Sequence, residues 1–368
     1  MSRVDLSVRI GALELSNPVL VASGTFGYGD EYAHVADPAR LGAVITKTVT
    51  LEPRPGNPAQ RIAETAGGML NSIGLENVGL RRFRAEKLPK LASLGATIIA
   101  SIGGETARHL ERLLRELDGE AAVAAFEINF SCPNVAEGGA RYWTTPRRLE
   151  ATLARLRALT KKPLIAKLSP DVTSIGDLAR ACERGGADAV TAVNTFVGMA
   201  VDLDSGHSRL NRETGGLSGP AIKPLALARC FECARSVRIP VLGSGGILSG
   251  KDALEFLAVG AAAIQVGTAS FLRPAAAVEV LGELRAFLAE AGARSIDDWR
   301  RSLARRSIDP EVGHGSGPLL VAGPGSMPPR AEREEASGMS GAPGAVSRSA
   351  SSGRQRRASR PAAGERPR

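Results

Sequence analysis

Aromatic residues make up only 4% of this 368-residue chain, and four cysteines are spread through it. So few cysteines in so long a chain exclude a disulfide scaffold and fit a reduced, intracellular protein, so the cytoplasm is the expected location. The N-terminus alternates polar and apolar residues and has no continuous apolar core of a signal peptide. No segment approaches the length of a membrane span. No G-x-G-x-x-G follows an apolar run, so dinucleotide binding in the Rossmann manner is unsupported. His34, His109, His207 and His314 all fall away from the ends of apolar runs, which makes histidine a poor choice of base. Cys230 and Cys233 form a C-x-x-C inside a helical pattern, with no further ligands nearby for zinc or an iron–sulfur cluster, so no metal is expected.

The chain carries a net charge of +9 and a pI of about 9.8. From Arg306 onward ten arginines face six acids, so +4 of the +9 belongs to the last stretch. The rest is mildly basic without a clustered patch, and nucleic-acid binding is not expected. Residues 306–368 have no aromatic residue and are dominated by Gly, Pro, Ser, Ala and Arg. Such a segment buries too little apolar surface to offset its ordering entropy. The expected organisation is one catalytic domain over 1–305 and a disordered tail over 306–368.

The body is 43% hydrophobic over the whole chain, enough for one large core. Leu6 to Leu15 alternate around Gly11 and predict a hairpin plugging one end of a barrel. Eight short apolar runs follow: Pro18–Ala22, Ala43–Thr46, Ala96–Ser101, Val123–Asn129, Leu164–Lys167, Ala189–Val193, Val241–Gly243 and Ala263–Val266. Amphipathic stretches such as Pro146 to Leu159 and Ile175 to Arg184 separate them. Eight strands alternating with helices predict a parallel α/β barrel, a (β/α)8 TIM barrel.

Chemistry on such a barrel belongs at the C-terminal ends of the strands. The first run ends in Ala22-Ser23-Gly24-Thr25-Phe26-Gly27, small enough for a flat ligand to lie close to the backbone. The second ends in Thr46-Lys47-Thr48 and the fifth in Ala166-Lys167-Leu168-Ser169-Pro170. A lysine after an apolar strand either meets an anion or reaches out to water, and two at equivalent places favour an anion. The fourth delivers Glu127-Ile128-Asn129-Phe130-Ser131-Cys132-Pro133-Asn134, a thiol flanked by amides and a hydroxyl. A thiol there fits a base or nucleophile, because nearby cations stabilise the thiolate.

The seventh and eighth runs end in Gly243-Ser244-Gly245-Gly246-Ile247 and Gln265-Val266-Gly267-Thr268-Ala269. Glycine loops at these two places suit a phosphate, held by backbone N–H groups and a helix N-terminus. The competing use of Ser244 and Thr268 is to cap the helices that follow. Two further stretches, Gly67 to Asn77 and Thr214 to Pro220, read as ligand-lining loops, and Val193-Asn194-Thr195 ends the sixth run.

Together NFSCPN, ITKT, GMLNSIGLEN, TGGLSGPAIKP and GSGGI occur in the order found in class 1 dihydroorotate dehydrogenases, a family that residues 4 to 300 resemble. The run Leu51 to Pro58 and the SGTFGYG opening resemble its NAD-linked subclass B; the fumarate-linked subclass A is the close competitor. The resemblance implies FMN over the barrel mouth. Its phosphate would meet Gly245, Gly246, Gly267 and Thr268, and Ser23, Lys47, Thr48, Asn129, Lys167, Val193 and Gly219 would line the rest. Ser101 stands where the family often has an asparagine near the flavin. Dihydroorotate would be held by Lys47, Asn71, Ser72, Ile73, Gly74, Leu75, Asn129, Asn194 and Thr195. Cys132 would take the C5 proton while a hydride leaves C6, giving orotate.

The chain lacks both a nicotinamide fingerprint and the cysteine set of a [2Fe–2S] cluster. The resemblance therefore implies an electron-transfer subunit with FAD and [2Fe–2S], in a heterotetramer built on a homodimer of this chain. The loop Gly138 to Pro146 departs from the family at Tyr142-Trp143 and lacks its acid near Thr145, which bears on how it covers the site. Three other functions compete. A flavin barrel acting on free dihydropyrimidines would not need Lys47. A non-redox phosphate-binding barrel would carry no yellow chromophore. A binding protein using the basic tail would lose salt-dependent binding without 306–368.

Overall fold

The computed structural model describes residues 4–130 and 144–306. Cys132, Tyr142, Trp143 and the tail from 307 onward lie outside the described residues. Val8–Ile10 (β1) and Leu13–Leu15 (β2) form the expected antiparallel hairpin. Its turn needs Gly11, which has φ +56° and sits where a Cβ would come within 2.8 Å of Asp188 Oδ1.

The later strands are Val19–Val21 (β3), Ala43–Ile45 (β4), Ile62–Thr65 (β5), Gly68–Asn71 (β6), Ile98–Ile102 (β7), Val123–Asn129 (β8) and Leu164–Lys167 (β9). Ala189–Ala192 (β10), Phe196–Gly198 (β11), Gly215–Ser218 (β12), Val241–Ser244 (β13) and Ala263–Val266 (β14) complete them. Strands β3, β4, β7, β8, β9, β10, β13 and β14 close into a parallel barrel in chain order, with Ile264 opposite Val19 at the seam. These are the eight apolar runs read from the sequence, their ends moved by a residue or two.

Inward-facing residues alternate along each strand and change character with height. The lower layers are apolar: Leu20, Ala43, Ile45, Ile99, Ala125, Ile165, Ala189, Leu242 and Ala263 pack with Ile10 and Leu15 of the hairpin. The hairpin thus stops one end of the barrel, and each large side chain buried here contributes about 1.5–3 kcal/mol of transfer free energy. One step higher the inward positions become Ser101, Glu127, Lys167, Thr191 and Gln265, all buried.

The outer helices follow the sequence pattern. In Ala107–Asp118 the buried residues Leu110, Leu113, Leu114 and Leu117 recur at helical spacing, and the Thr106 hydroxyl accepts from His109 N at 3.3 Å to cap the first turn. Pro146–Arg157 and Ile175–Arg184 bury Leu149, Leu153 and Leu156, and Ile175, Leu178 and Cys182, in the same way. Among the described residues no helix is long and apolar enough to cross a membrane.

A second, four-stranded sheet in the order β11-β12-β6-β5 was read from the sequence as two loops. Leu70 pairs with Leu217 and Asn71 with Gly216 in an antiparallel ladder. Strands β5 and β6 follow the C-terminal end of β4, while β11 and β12 follow that of β10. The sheet therefore stands on the rim where the barrel strands end. These glycine-rich strands carry no alternation of their own, and only the distant partner makes them strands.

Candidate active site

Each barrel strand ends with a polar group on the same rim. Ser23, Thr48, Ser101 and Asn129 form one string across four strand ends. Thr48 Oγ1 lies 3.1 Å from Ser23 Oγ and 3.0 Å from Ser101 Oγ, and Asn129 Nδ2 donates to it at 3.4 Å. Ser101 N also donates to Thr46 Oγ1 at 3.1 Å. Ser101 is fully buried, so Thr48 lies between it and the mouth, while Ser23 and Asn129 are partly exposed.

Lys167 does not reach out to water; it is 5% exposed. Its Nζ donates to Gln265 Oε1 at 3.2 Å and lies 3.7 Å from Glu127 Oε1. Gln265 Nε2 donates to Glu127 Oε2 at 2.7 Å and to Thr191 Oγ1 at 3.0 Å, and the Thr191 hydroxyl donates to the same Glu127 oxygen at 3.0 Å. A carboxylate, an ammonium, an amide and a hydroxyl from four strands make one buried network. Such a network is tolerable in a low-dielectric interior because its two charges face each other and all but Glu127 Oε1 of its side-chain oxygens are hydrogen-bonded within it. Glu127 is not among the residues that the sequence predicts for the site; its one signal there is a charge within an otherwise apolar run.

Lys47 is half-buried and faces Glu76 Oε2 at 3.7 Å. Arg61 Nη2 holds the same oxygen at 2.7 Å. In that loop Asn57 Nδ2 donates to Ser72 O and Ser72 Oγ, both at 2.9 Å, and Asn57 N donates to Ile73 O. Gly74 and Leu75 both adopt positive φ, +76° and +55°, and Asn77 holds Leu75 O at 2.8 Å. Within the second sheet, Asn71 Nδ2 donates to Gly216 O at 3.1 Å. Gly216 also lets Thr195 approach: a Cβ there would meet Thr195 Oγ1 at 2.1 Å. Asn194 Oδ1 accepts from Thr195 N at 2.9 Å, and buried Val193 donates its N–H to Ser244 O at 3.1 Å.

The glycine loops after β13 and β14 lie beside helices that take no side-chain cap from them. Gly245 and Gly246 have φ +134° and +73°. A Cβ on Gly246 would fall 2.7 Å from Lys223 Cβ and 2.9 Å from Gly219 O. Thr268 Oγ1 donates to Ser218 Oγ at 2.8 Å, so Ser218, Gly219, Gly246 and Thr268 gather at one place. Ser244 is not the cap of the helix that follows it, and Thr268 stands at the N-cap position of Ala269–Leu272 without capping it through its side chain. Ser249 caps Gly250–Ala258 in a reciprocal box with Asp252, and Thr268 makes no side-chain cap bond. The N-terminus of Gly250–Ala258 is thus satisfied from within, and the N–H groups of the preceding glycine loop are not needed to cap it.

The donor set (a buried ammonium, hydroxyls, amides and glycine backbone) suits a flat, acceptor-rich ring that carries a phosphate dianion. Cys182, Cys230 and Cys233 do not enter this site. All three are buried, and burial pushes the Cys230 thiol up to about 12 and raises the other two as well. The C-x-x-C is a packing element of the Lys223–Ala234 helix.

Comparison with known proteins agrees with this geometry. A family model described as dihydroorotate dehydrogenase matches residues 5–288. A protein of Trichlorobacter lovleyi named "Dihydroorotate dehydrogenase B (NAD(+)), catalytic subunit" is 51% identical over 291 residues, covering 79% of this chain and 96% of that protein. Proteins of the same name from Pelobacter propionicus and Geobacter sulfurreducens are 49% and 47% identical, covering 80% and 81% of this chain and 97% and 98% of their own. Among solved structures, the crystal structure of DHODH in complex with ferulenol from Eimeria tenella shares the fold, with a TM-score of 0.66 at 24% identity over 80% of this chain and 87% of that one.

Proposed function

The chain belongs to the dihydroorotate dehydrogenase family, and on that footing we propose that it is the catalytic subunit of an NAD-linked enzyme. It oxidises dihydroorotate to orotate in pyrimidine biosynthesis. The observation that carries this reading is Lys167: a buried ammonium at the end of β9, braced from below by Glu127 and Gln265, in a mouth it shares with amides, hydroxyls and Lys47.

FMN, when bound, supplies the two-electron acceptor. Gly245, Gly246, Gly267 and Thr268 hold its phosphate; Ser23, Lys47, Thr48, Ser101, Asn129, Lys167, Val193 and Gly219 hold the remainder, Ser101 acting through Thr48. Lys167 offers positive charge where negative charge develops on reduction. Lys47 meets the substrate carboxylate. Asn71, Asn129, Asn194 and Thr195 read the ring amides, with Ser72, Ile73, Gly74 and Leu75 completing the wall. The Cys132 thiolate takes the C5 proton as the hydride leaves C6, and the C5–H electron pair becomes the new C5–C6 π bond. Cys132 follows Asn129 by three residues, and β8 ends at Asn129.

Electrons then pass to NAD through a partner subunit carrying FAD and a [2Fe–2S] cluster, the two subunits forming a heterotetramer on a homodimer of this chain. The cytoplasm is the fitting location. Anaerobic mixing of the purified yellow protein with dihydroorotate tests the first half: the flavin band should bleach within the mixing time. A flavin that stays yellow with dihydroorotate sinks the proposal. NAD reduction that needs the added partner distinguishes the NAD-linked reading from the fumarate-linked one.

A further inference from the structure

We infer that Glu127 is a positioning residue: through Lys167 it sets how much positive charge the barrel presents to the cofactor ring. The inference rests on the reading of the mouth as an FMN site.

Strand β8 sends Ala125, Glu127 and Asn129 inward in turn. Glu127 is completely buried, one step below the rim. Its Oε2 takes two hydrogen bonds, from Gln265 and Thr191. Its Oε1 takes none from the described residues and faces Lys167 Nζ at 3.7 Å. Gln265 spans the pair, with its oxygen toward the ammonium and its nitrogen toward the carboxylate. The carboxylate is fixed on one side and presents its other oxygen to Lys167. Packing alone does not call for a carboxylate here, since an apolar side chain of similar volume would fill the barrel without a buried charge.

The two charges have opposite signs and little screening between them. Lys167 therefore acts on the mouth as half of a dipole. Removing the carboxylate charge while keeping its shape leaves the ammonium uncompensated beneath the ring, which favours the more negatively charged, reduced cofactor.

The test is a redox titration of the FMN-loaded protein with dithionite, with no substrate present. Glu127→Gln should bind reduced FMN at least tenfold more tightly relative to oxidised FMN than the parent protein does. For a two-electron couple this is a rise of about 30 mV in midpoint potential. Glu127→Asp keeps the charge but withdraws it by one methylene, and should give a smaller rise; this variant decides the matter should Glu127→Gln fail to fold. In a Lys167→Met background the Glu127→Gln shift should shrink to less than half. An unchanged or lowered potential overturns the inference, as does a full-sized shift without Lys167. A parent protein that binds no flavin, by contrast, overturns the functional reading itself.

Discussion

Lys47 Nζ lies 3.7 Å from Glu76 Oε2, an oxygen that Arg61 already holds at 2.7 Å. The lysine and the glutamate side chains are 28% and 39% exposed, so their attraction is screened and of the order of 0–1 kcal/mol. A substrate carboxylate can therefore draw Lys47 away at little cost, while Arg61 keeps Glu76 in place. The pair is a resting contact for a cation that the proposed substrate needs.

Replacing Lys47 by alanine should follow from this. Orotate affinity should fall by roughly tenfold to a hundredfold, the worth of one charge-assisted hydrogen bond at about 1.5–3 kcal/mol. FMN content should stay close to that of the parent, because Lys167 and the glycine loops remain. Orotate titration of the flavin absorbance measures the first quantity and the absorbance ratio of the purified protein the second. An equal loss of both would mean a folding defect.

The barrel could be read from the sequence because each strand is a continuous apolar run buried on both faces, and the turn of each run to polar residues marks its rim. The rest depended on pairings that no local pattern announces. Asn71 and Gly216 are 145 residues apart in sequence, yet they sit opposite one another in the second sheet. Glu127 stands in plain sight within β8, two residues before Asn129, but its partners Thr191 and Gln265 come from two other strands. At the glycine loops the competing use of Ser244 and Thr268 as side-chain caps is the reading that the structure sets aside. Ser249-Gly250-Lys251-Asp252 has the spacing of a capping box, five residues beyond Ser244.

That capping box predicts a pH response. Burial opposes ionisation of Asp252, but Lys223, the Leu248 N–H and Ser249 outweigh it and hold the carboxyl below its usual value of 3.8. A carboxyl whose folded value is depressed adds stability above the unfolded value. That stability is lost as pH falls through the folded one. Asp252→Asn should therefore unfold at a lower temperature than the parent at neutral pH, and the gap should narrow as pH falls below about 4, where the parent loses the same contacts. The Asp252 oxygens accept from Lys223 Nζ at 2.6 Å and from Leu248 N at 3.0 Å, just after Gly245 and Gly246. FMN retention on dilution should drop with stability. Melting curves at pH 7 and pH 3.5 supply the check, and a gap that widens in acid would contradict it.

The thiol offers the most direct test of the chemistry. Among the described residues the other cysteines are buried in the fold and their thiols are raised by burial, so none of them can stand in for Cys132. The histidines described, His34, His109 and His207, sit in none of the barrel strands. On the proposed reading, replacing Cys132 removes the group assigned as base, and neither a described cysteine nor a described histidine stands at a barrel strand end to replace it. Cys132→Ser should cut turnover by about 10²–10⁴-fold near neutral pH, the usual worth of a positioned general base. Raising the pH should recover part of the loss, since an alkoxide can do what the hydroxyl cannot. FMN content and orotate binding should be unchanged, because neither depends on a base. Bleaching rates under anaerobic conditions across pH 6–10 give the profile. A serine variant with parental rates at pH 7 would assign the C5 proton to another group.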